Sequence, residues 1–295
     1  MSSIRPRVGV VTVTYNSARV LDDFLRASLA QTLTDFRIYV IDNASADDTV
    51  RRLRAETDPR LVVIENADNL GVAEGNNQGI RLALEDGCSH VLLLNNDTDF
   101  PPGLFAEMLE LAQHGAHPVV IPKIYFHDPA QRIWCAGGRF VAARGYTGVH
   151  FGEGELDQGQ FDRDRAIEYS PTCCMLIEAS VFARVGMMDP KYFVYYDDTD
   201  FCLRLQRAGI GIWYAHRPHL YHKVASLTGG GVSPFGARMG ARNRVYYLRK
   251  HFGAMRTAWY LCAFVCYVFM RRIIGKDSGN IFRIKLKAVV EGLRL

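Results

Sequence analysis

Four apolar runs in the first hundred residues each end in a cluster of amide, hydroxyl or carboxylate side chains, with helical spacing between the runs. Residues 8–13 run into Thr14-Tyr15-Asn16, and residues 37–41 into Asp42-Asn43. Residues 61–64 run into Asn66-Ala67-Asp68-Asn69, and residues 90–94 into Asn95-Asn96-Asp97. Runs apolar at successive positions suit strands buried on both faces. Val20, Leu21, Phe24, Leu25 and Leu29 recur at helical spacing after the first run. Residues 45–48 read as a capping box for a helix ending near Glu56, and residues 72–85 as a third helix. Strand and helix in alternation with short connections imply a parallel α/β sheet, whose ligands bind at the carboxyl ends of the strands.

Charge says little about nucleic acid, because the chain carries a net of only +4. Its distribution says more. Residues 271–295 hold seven Lys/Arg and two Asp/Glu, so the basicity belongs to the tail. The seven cysteines are odd in number and form no Cys-x-x-Cys pair, which supports neither a disulfide framework nor a zinc knuckle and fits a reducing cytosol. A short basic lead with Arg5 and Arg7 precedes the first strand, and no signal peptide is expected.

Periodicity fades over residues 127–168, and residues 133–151 read as irregular strands or a loop on the acceptor side. A short strand is expected at 173–177, a helix at 200–208, a strand at 212–215, and helix from about Phe235 onward. The run 258–270 is uninterrupted and apolar, bracketed by Arg256 and Arg271-Arg272. Its helical length of about 20 Å falls short of a hydrocarbon core of roughly 30 Å. It is therefore either a buried or dimer-forming helix or an interfacial anchor on an anionic membrane surface. Phe282, Leu286, Val289, Val290 and Leu293 recur on one side of a further helix.

The polar strand ends suit a diphosphate ligand and a magnesium- or manganese-class ion, since Asn95 and Asp97 supply hard oxygen donors. Asp42 has two readings, acceptor of the imide N–H of a uracil or thymine base, or turn and cap residue. Gly71 and Gly79 allow close backbone approach to a ligand, or serve a turn and helix packing. Asp197, Asp198 and Asp200 are candidate general bases ahead of a helix.

Five segments in order resemble the family 2 glycosyltransferases of GT-A fold: residues 11–16, 40–49, Asn69-Leu70-Gly71 with Asn76 and Gly79, 94–98, and the acidic segment 195–205. Residues 215–222 resemble the family segment that ends in a metal-ligand histidine, and residues 241–251 resemble its rhamnosyltransferase-like branch. The resemblance implies a Rossmann-like, mostly parallel sheet flanked by helices over residues 1–252, with a nucleotide-binding half to about 125 and an acceptor half from 126. Residues 253–295 would form a helical extension. It implies that Thr12, Val13, Thr14 and Tyr15 bed the nucleotide, that Asp42 contacts the base, and that Asn69, Gly71, Asn76 and Asn96 shape the pocket. Asn95, Asp97 and His222 would hold the divalent cation, Mg or Mn, with Asn95 departing from the acid usual at its position. Asp198 would be the catalytic base and Asp197 an acceptor ligand beside it.

The implied reaction is inverting transfer from a nucleoside-diphosphate sugar to a glycan or lipid-linked hydroxyl, with dTDP-L-rhamnose suggested as donor and the inner face of the cytoplasmic membrane as the place. A UDP-hexose or UDP-galactofuranose donor, a homodimer, and a binding protein that has lost catalysis are the alternatives. A nucleotidyltransferase or dinucleotide dehydrogenase would want a glycine-rich loop after the first strand, and residues 13–18 contain no glycine.

Overall fold

The computed structural model describes residues 7–224 and 233–295, so Arg5 lies outside the described residues. The first half runs β1 (Val8–Thr14), α1 (Ala18–Leu29), β2 (Phe36–Asp42), α2 (Thr49–Ala55), β3 (Leu61–Glu65), α3 (Gly71–Glu85), β4 (His90–Leu94) and β5 (Thr98–Asp99). Next come α4 (Leu104–His114), β6 (Val119–Phe126), β7 (Ile133–Cys135), β8 (Gly138–Val141), β9 (Thr147–His150), β10 (Arg165–Ile167), β11 (Cys174–Glu178) and α5 (Ala179–Val185). The chain continues through α6 (Asp197–Arg207), β12 (Ile212–His222), α7 (Pro234–His251), α8 (Ala254–Ile273) and α9 (Gly279–Arg294).

The main sheet has the order β10-β12-β6-β11-β4-β1-β2-β3, with β5 on β12 and β7 on β6. Strands β1 to β4 are parallel, as the alternation demands. Its apolar runs are buried on both faces. Val10, Leu92, Val120 and Leu176 pack with α1 and α4 residues such as Phe24 and Met108. Val11, Leu93, Ile121 and Ile177 pack on the other side with Ile80 of α3 and Phe201 of α6. Gly79 belongs to this packing, because a Cβ there would sit 2.3 Å from Val11.

Two expectations need correction, and the sheet adds one feature: β11 runs antiparallel between β4 and β6. That direction brings its entry, Thr172 and Cys173, to the carboxyl end of β4. Residues 45–48 form no capping box: the Ser45 N–H and hydroxyl donate to Asp42 at 2.9 and 2.6 Å, and Asp47 accepts from the Thr49 N–H at 3.0 Å. Helix α6 begins at Asp197 rather than Asp200, so all three acids stand in its first turn, where the helix dipole favours negative charge.

Ala241 of α7, Phe264 and Val268 of α8 and Ala288 of α9 form a small separate core. Helix α9 lies close on α7, since a Cβ at Gly292 would meet the Arg242 carbonyl at 2.4 Å. Helix α8 leaves Met255, Trp259, Phe269, Met270 and Ile273 exposed. No helix of the described residues is long and apolar enough to cross a membrane.

Candidate active site

The carboxyl ends of β1 and β4 open into a cavity of about 400 Å³. Asn95, Asn96 and Asp97 follow β4, and Val13 belongs to β1. Asp197 and Asp198 enter from the α6 first turn, and His222 from the last residue of β12. The acids and the histidine, far apart in the chain, thus meet in one pocket. Sheet register explains the histidine. Strand β12 shifts register between Ala215 and His219 and continues to His222, which pairs with Thr98 of β5. That pairing sets its Nε2 3.2 Å from Oδ1 of Asp97.

Asp97 and His222 are both at least nine-tenths buried. Two donors bound at about 2.1 Å and at right angles on one ion lie about 3 Å apart, so this spacing fits a shared cation. Nδ1 of His222 is buried without a hydrogen-bond partner among the described residues, and the ring is held instead edge-on to Trp134, centroids 4.4 Å apart. No group of three or more His, Cys, Asp or Glu ligands occurs among the described residues. Two protein donors leave positions for phosphate oxygens and water, as magnesium-class ions prefer. Three carboxylates and no Lys or Arg stand among the described lining residues. The charge of this lining suits a cation rather than a bare anion.

The acidic wall is tuned by burial. Asp197 is 5% exposed, and desolvation with the Asp198 charge beside it pushes its carboxyl up to about 7. Asp198 is also raised by burial. Its upward shift is opposed by three donors: the Tyr169 hydroxyl at 2.9 Å, the Thr199 hydroxyl at 3.0 Å and the Thr199 N–H. Burial holds His150 below its ordinary range, a neutral ring donating from Nδ1 to the Trp134 carbonyl at 3.1 Å. His150 stacks on Tyr169, centroids 5.9 Å apart. Trp134, His150 and Tyr169 thus run as one wall from His222 to Asp198. Sequence reading missed all three, because Trp134 and His150 lie in the stretch without periodicity and Tyr169 directly follows it.

Asp200 is not a base candidate in the fold. It is fully buried and accepts from Arg204 Nε, Lys250 Nζ and His251 Nε2, each at 2.7 Å, and from the Tyr192 hydroxyl at 3.1 Å. Burial would raise its carboxyl, but these partners outweigh burial and hold it below the usual range. It ties α6 to the end of α7. Asn243 of α7, also fully buried, donates its amide to the carbonyls of Tyr192, Val194 and Tyr195 at 2.8, 2.7 and 2.9 Å. Those carbonyls belong to a loop in which Phe193, Tyr195 and Tyr196 have positive φ, a costly conformation for such residues. The clamp delivers Val194 and Tyr195 to the cavity just ahead of Asp197.

The nucleotide candidates divide. Val13, Asn76 and Asn96 line the cavity, while Thr12, Thr14, Tyr15, Asp42, Asn69 and Gly71 are not among its lining residues. Asp42 is 1% exposed and accepts from Thr14, at 2.7 Å, as well as from Ser45, hydrogen bonds that fit its turn role. Gly71, at φ +83°, seats against Phe193, and Asn69 caps its N–H at 2.9 Å. Thr12 is buried, whereas Tyr15 is 48% exposed at the rim. Asn96 uses its amide on the Val13 carbonyl at 2.7 Å and the Ser17 hydroxyl at 3.2 Å, which locks the β1 and β4 ends together. Asn95 lines the cavity and is exposed to it.

The model of glycosyl transferase family 2 matches residues 9–186, more than half of the chain. The chain belongs to glycosyl transferase family 2. Among its relatives, an N-acetylglucosaminyl-diphospho-decaprenol L-rhamnosyltransferase of Mycobacterium tuberculosis is 23% identical over 267 residues, 84% of this chain and 86% of the relative. A low-salt glycan biosynthesis hexosyltransferase of Haloferax volcanii is 26% identical over 176 residues, 59% of this chain. The match spans only about half, 54%, of that relative's length. A mannosyltransferase from Pyrobaculum calidifontis, solved with GDP-Man and Mn2+, superposes with a TM-score of 0.59 at 16% identity, covering 99% of this chain and 88% of that one. GalNAc-T7, solved with UDP, GalNAc and Mn2+, superposes at 0.64 and 13% identity, over 84% and 48% of the two chains. The mixed sheet flanked by helices is thus the GT-A fold of this family.

Proposed function

We propose that this family 2 member transfers a sugar from a nucleoside diphosphate to an acceptor hydroxyl with inversion at the anomeric carbon. The observation that carries the reading is the meeting of Asp97, His222 and Asp198 around one cavity. Asp97 and His222, with Asn95 beside them, would hold a divalent cation. When bound, that cation supplies neutralising charge to the diphosphate oxygens. Asp198 accepts the acceptor hydroxyl's proton as that oxygen attacks the anomeric carbon, while the bond to the departing diphosphate breaks with its electron pair. A single displacement inverts the centre. Tyr169 and Thr199 hold the Asp198 carboxylate in place for this step. Trp134, Val72 and Val194 line the space and limit competing water. Tyr15 at the rim and Asn76 inside offer a bed for the nucleoside.

The rhamnosyl name of the Mycobacterium relative supports dTDP-L-rhamnose as donor and a lipid-linked acceptor. The exposed apolar side of α8, with Arg256 and Arg272, supports peripheral docking on an anionic membrane, at the inner face of the cytoplasmic membrane. Measuring transfer from dTDP-L-rhamnose and UDP-sugars with manganese tests the reaction. Asp198→Asn is expected to keep donor binding and lose about 10²–10⁴-fold in kcat, the span of general-base catalysis. Near-normal turnover in that variant removes Asp198 as base. Flotation with anionic vesicles tests docking, which Trp259→Glu should abolish.

A further inference from the structure

A second cavity, about 320 Å³, is lined by residues of α7, α8 and α9. Tyr195 lines both it and the catalytic cavity. Its α7 wall includes Gly240, where an added Cβ would meet nothing within 4 Å. Glycine inside an 18-residue helix is destabilising, and here no packing contact requires it. One helical turn further, Arg244 lines the same cavity, and Lys285 of α9 adds a second cation. Nε of Arg244 and the hydroxyl of Tyr195 are both buried, with no hydrogen-bond partner among the described residues. Arg244 is oriented by its stacking over Phe264, 4.6 Å from the ring centroid, and by a 2.9 Å bond to the Arg144 carbonyl. Asp277 does not cancel the charge, since it is shared by Lys285, at 2.6 Å, and Arg271, at 2.9 Å.

Two unspent donors, surplus positive charge and an open small-residue wall suit a tetrahedral oxyanion. Phe264 belongs to α8, the helix whose outer side is exposed and apolar. We infer that this cavity binds the phosphate of an amphiphilic phosphate ester whose apolar chain lies along α8. The inference rests on the transferase reading above and adds to it an acceptor-side phosphate site separate from the donor diphosphate site. A ligand here touches Tyr195, the wall it shares with the catalytic cavity, so its reducing-end sugar would lie toward Asp198.

The test titrates the full chain, without divalent metal, with geranyl diphosphate, inorganic diphosphate and geraniol. Nucleoside diphosphate with manganese is titrated in parallel. Geranyl diphosphate is expected to bind more tightly than either fragment. Arg244→Gln should weaken it by about tenfold or more, the worth of a charge-assisted hydrogen bond. Because Arg244 also supports neighbouring backbone, Gly240→Leu serves as a second variant. It fills the cavity from its open side, should fold at least as stably, and should block geranyl diphosphate while leaving nucleotide binding within about twofold. Unchanged geranyl diphosphate binding in Gly240→Leu overturns the site. Displacement by nucleoside diphosphate overturns it too, by putting the ligand in the catalytic cavity. Equal binding of inorganic diphosphate overturns the assignment to an amphiphile. Absence of nucleotide binding in the wild type counts against the transferase reading alone.

Discussion

Asp197→Asn isolates the cost of an ionised, buried carboxylate at the catalytic wall. In the folded chain this carboxyl is pushed up to about 7 from an ordinary 3.8, first by burial and then by Asp198. Between those values the folded state binds one more proton here than the unfolded state. Stability from this group therefore falls as pH rises through the window and is lowest above it. A shift of about three pH units corresponds to about 4 kcal/mol at 1.36 kcal/mol per unit. Asparagine mimics the neutral acid in shape and escapes that cost. At pH 5 roughly a third of the cost has developed, and at pH 8.5 nearly all of it. With about 2 °C per kcal/mol for a chain of this size, the variant should melt roughly 3 °C above wild type at pH 5 and roughly 8 °C above it at pH 8.5. Differential scanning fluorimetry across that range reads the difference. A melting difference that is negative, or the same at both pH values, would refute the assignment of a buried proton to this pair.

Four other outcomes follow from the same geometry. Tyr169→Phe removes a donor that favours ionised Asp198, so the acid limb of kcat/KM should move to higher pH while donor KM holds. Asp200→Asn leaves Arg204, Lys250 and His251 short of their shared counter-charge and should destabilise by about 3–5 kcal/mol, read as a lower denaturation midpoint. Asn243→Ala takes a donor from the Val194 and Tyr195 carbonyls of the positive-φ loop, while the Tyr192 carbonyl keeps Arg242, costing about 1–3 kcal/mol and lowering kcat more than it changes donor KM. Chelation should stop transfer and manganese restore it, and His222→Gln should raise the half-saturating manganese concentration by about tenfold or more.

Much of the fold could be read from the chain because burial on both faces leaves a local trace. The runs at 8–13, 37–41, 61–64 and 90–94 became β1 to β4 with boundaries moved by a residue or so. Local pattern failed where a side chain had a partner distant in sequence. Ser45 looked like a helix cap, but Asp42 offered it a better acceptor. Asp200 looked like a third acid of the site until Lys250 and His251 of α7 enclosed it. Trp134 and His150 lie on strands of three and four residues, and Tyr169 just beyond another of three, too short for a period to mark them.

By its own order of residues, the chain determined the parallel half-sheet, the polar rim at its carboxyl ends, and which acids could do chemistry there. Only folding in three dimensions decided which of them meet in one cavity. The antiparallel course of β11 and the register shift in β12 set His222 beside Asp97. The clamp of α7 on the Tyr192–Tyr195 carbonyls aimed Asp197 and Asp198 into the same space. Backbone propensity is local, whereas a carboxylate's chemistry depends on its solvent and neighbours, which no sequence spacing specifies.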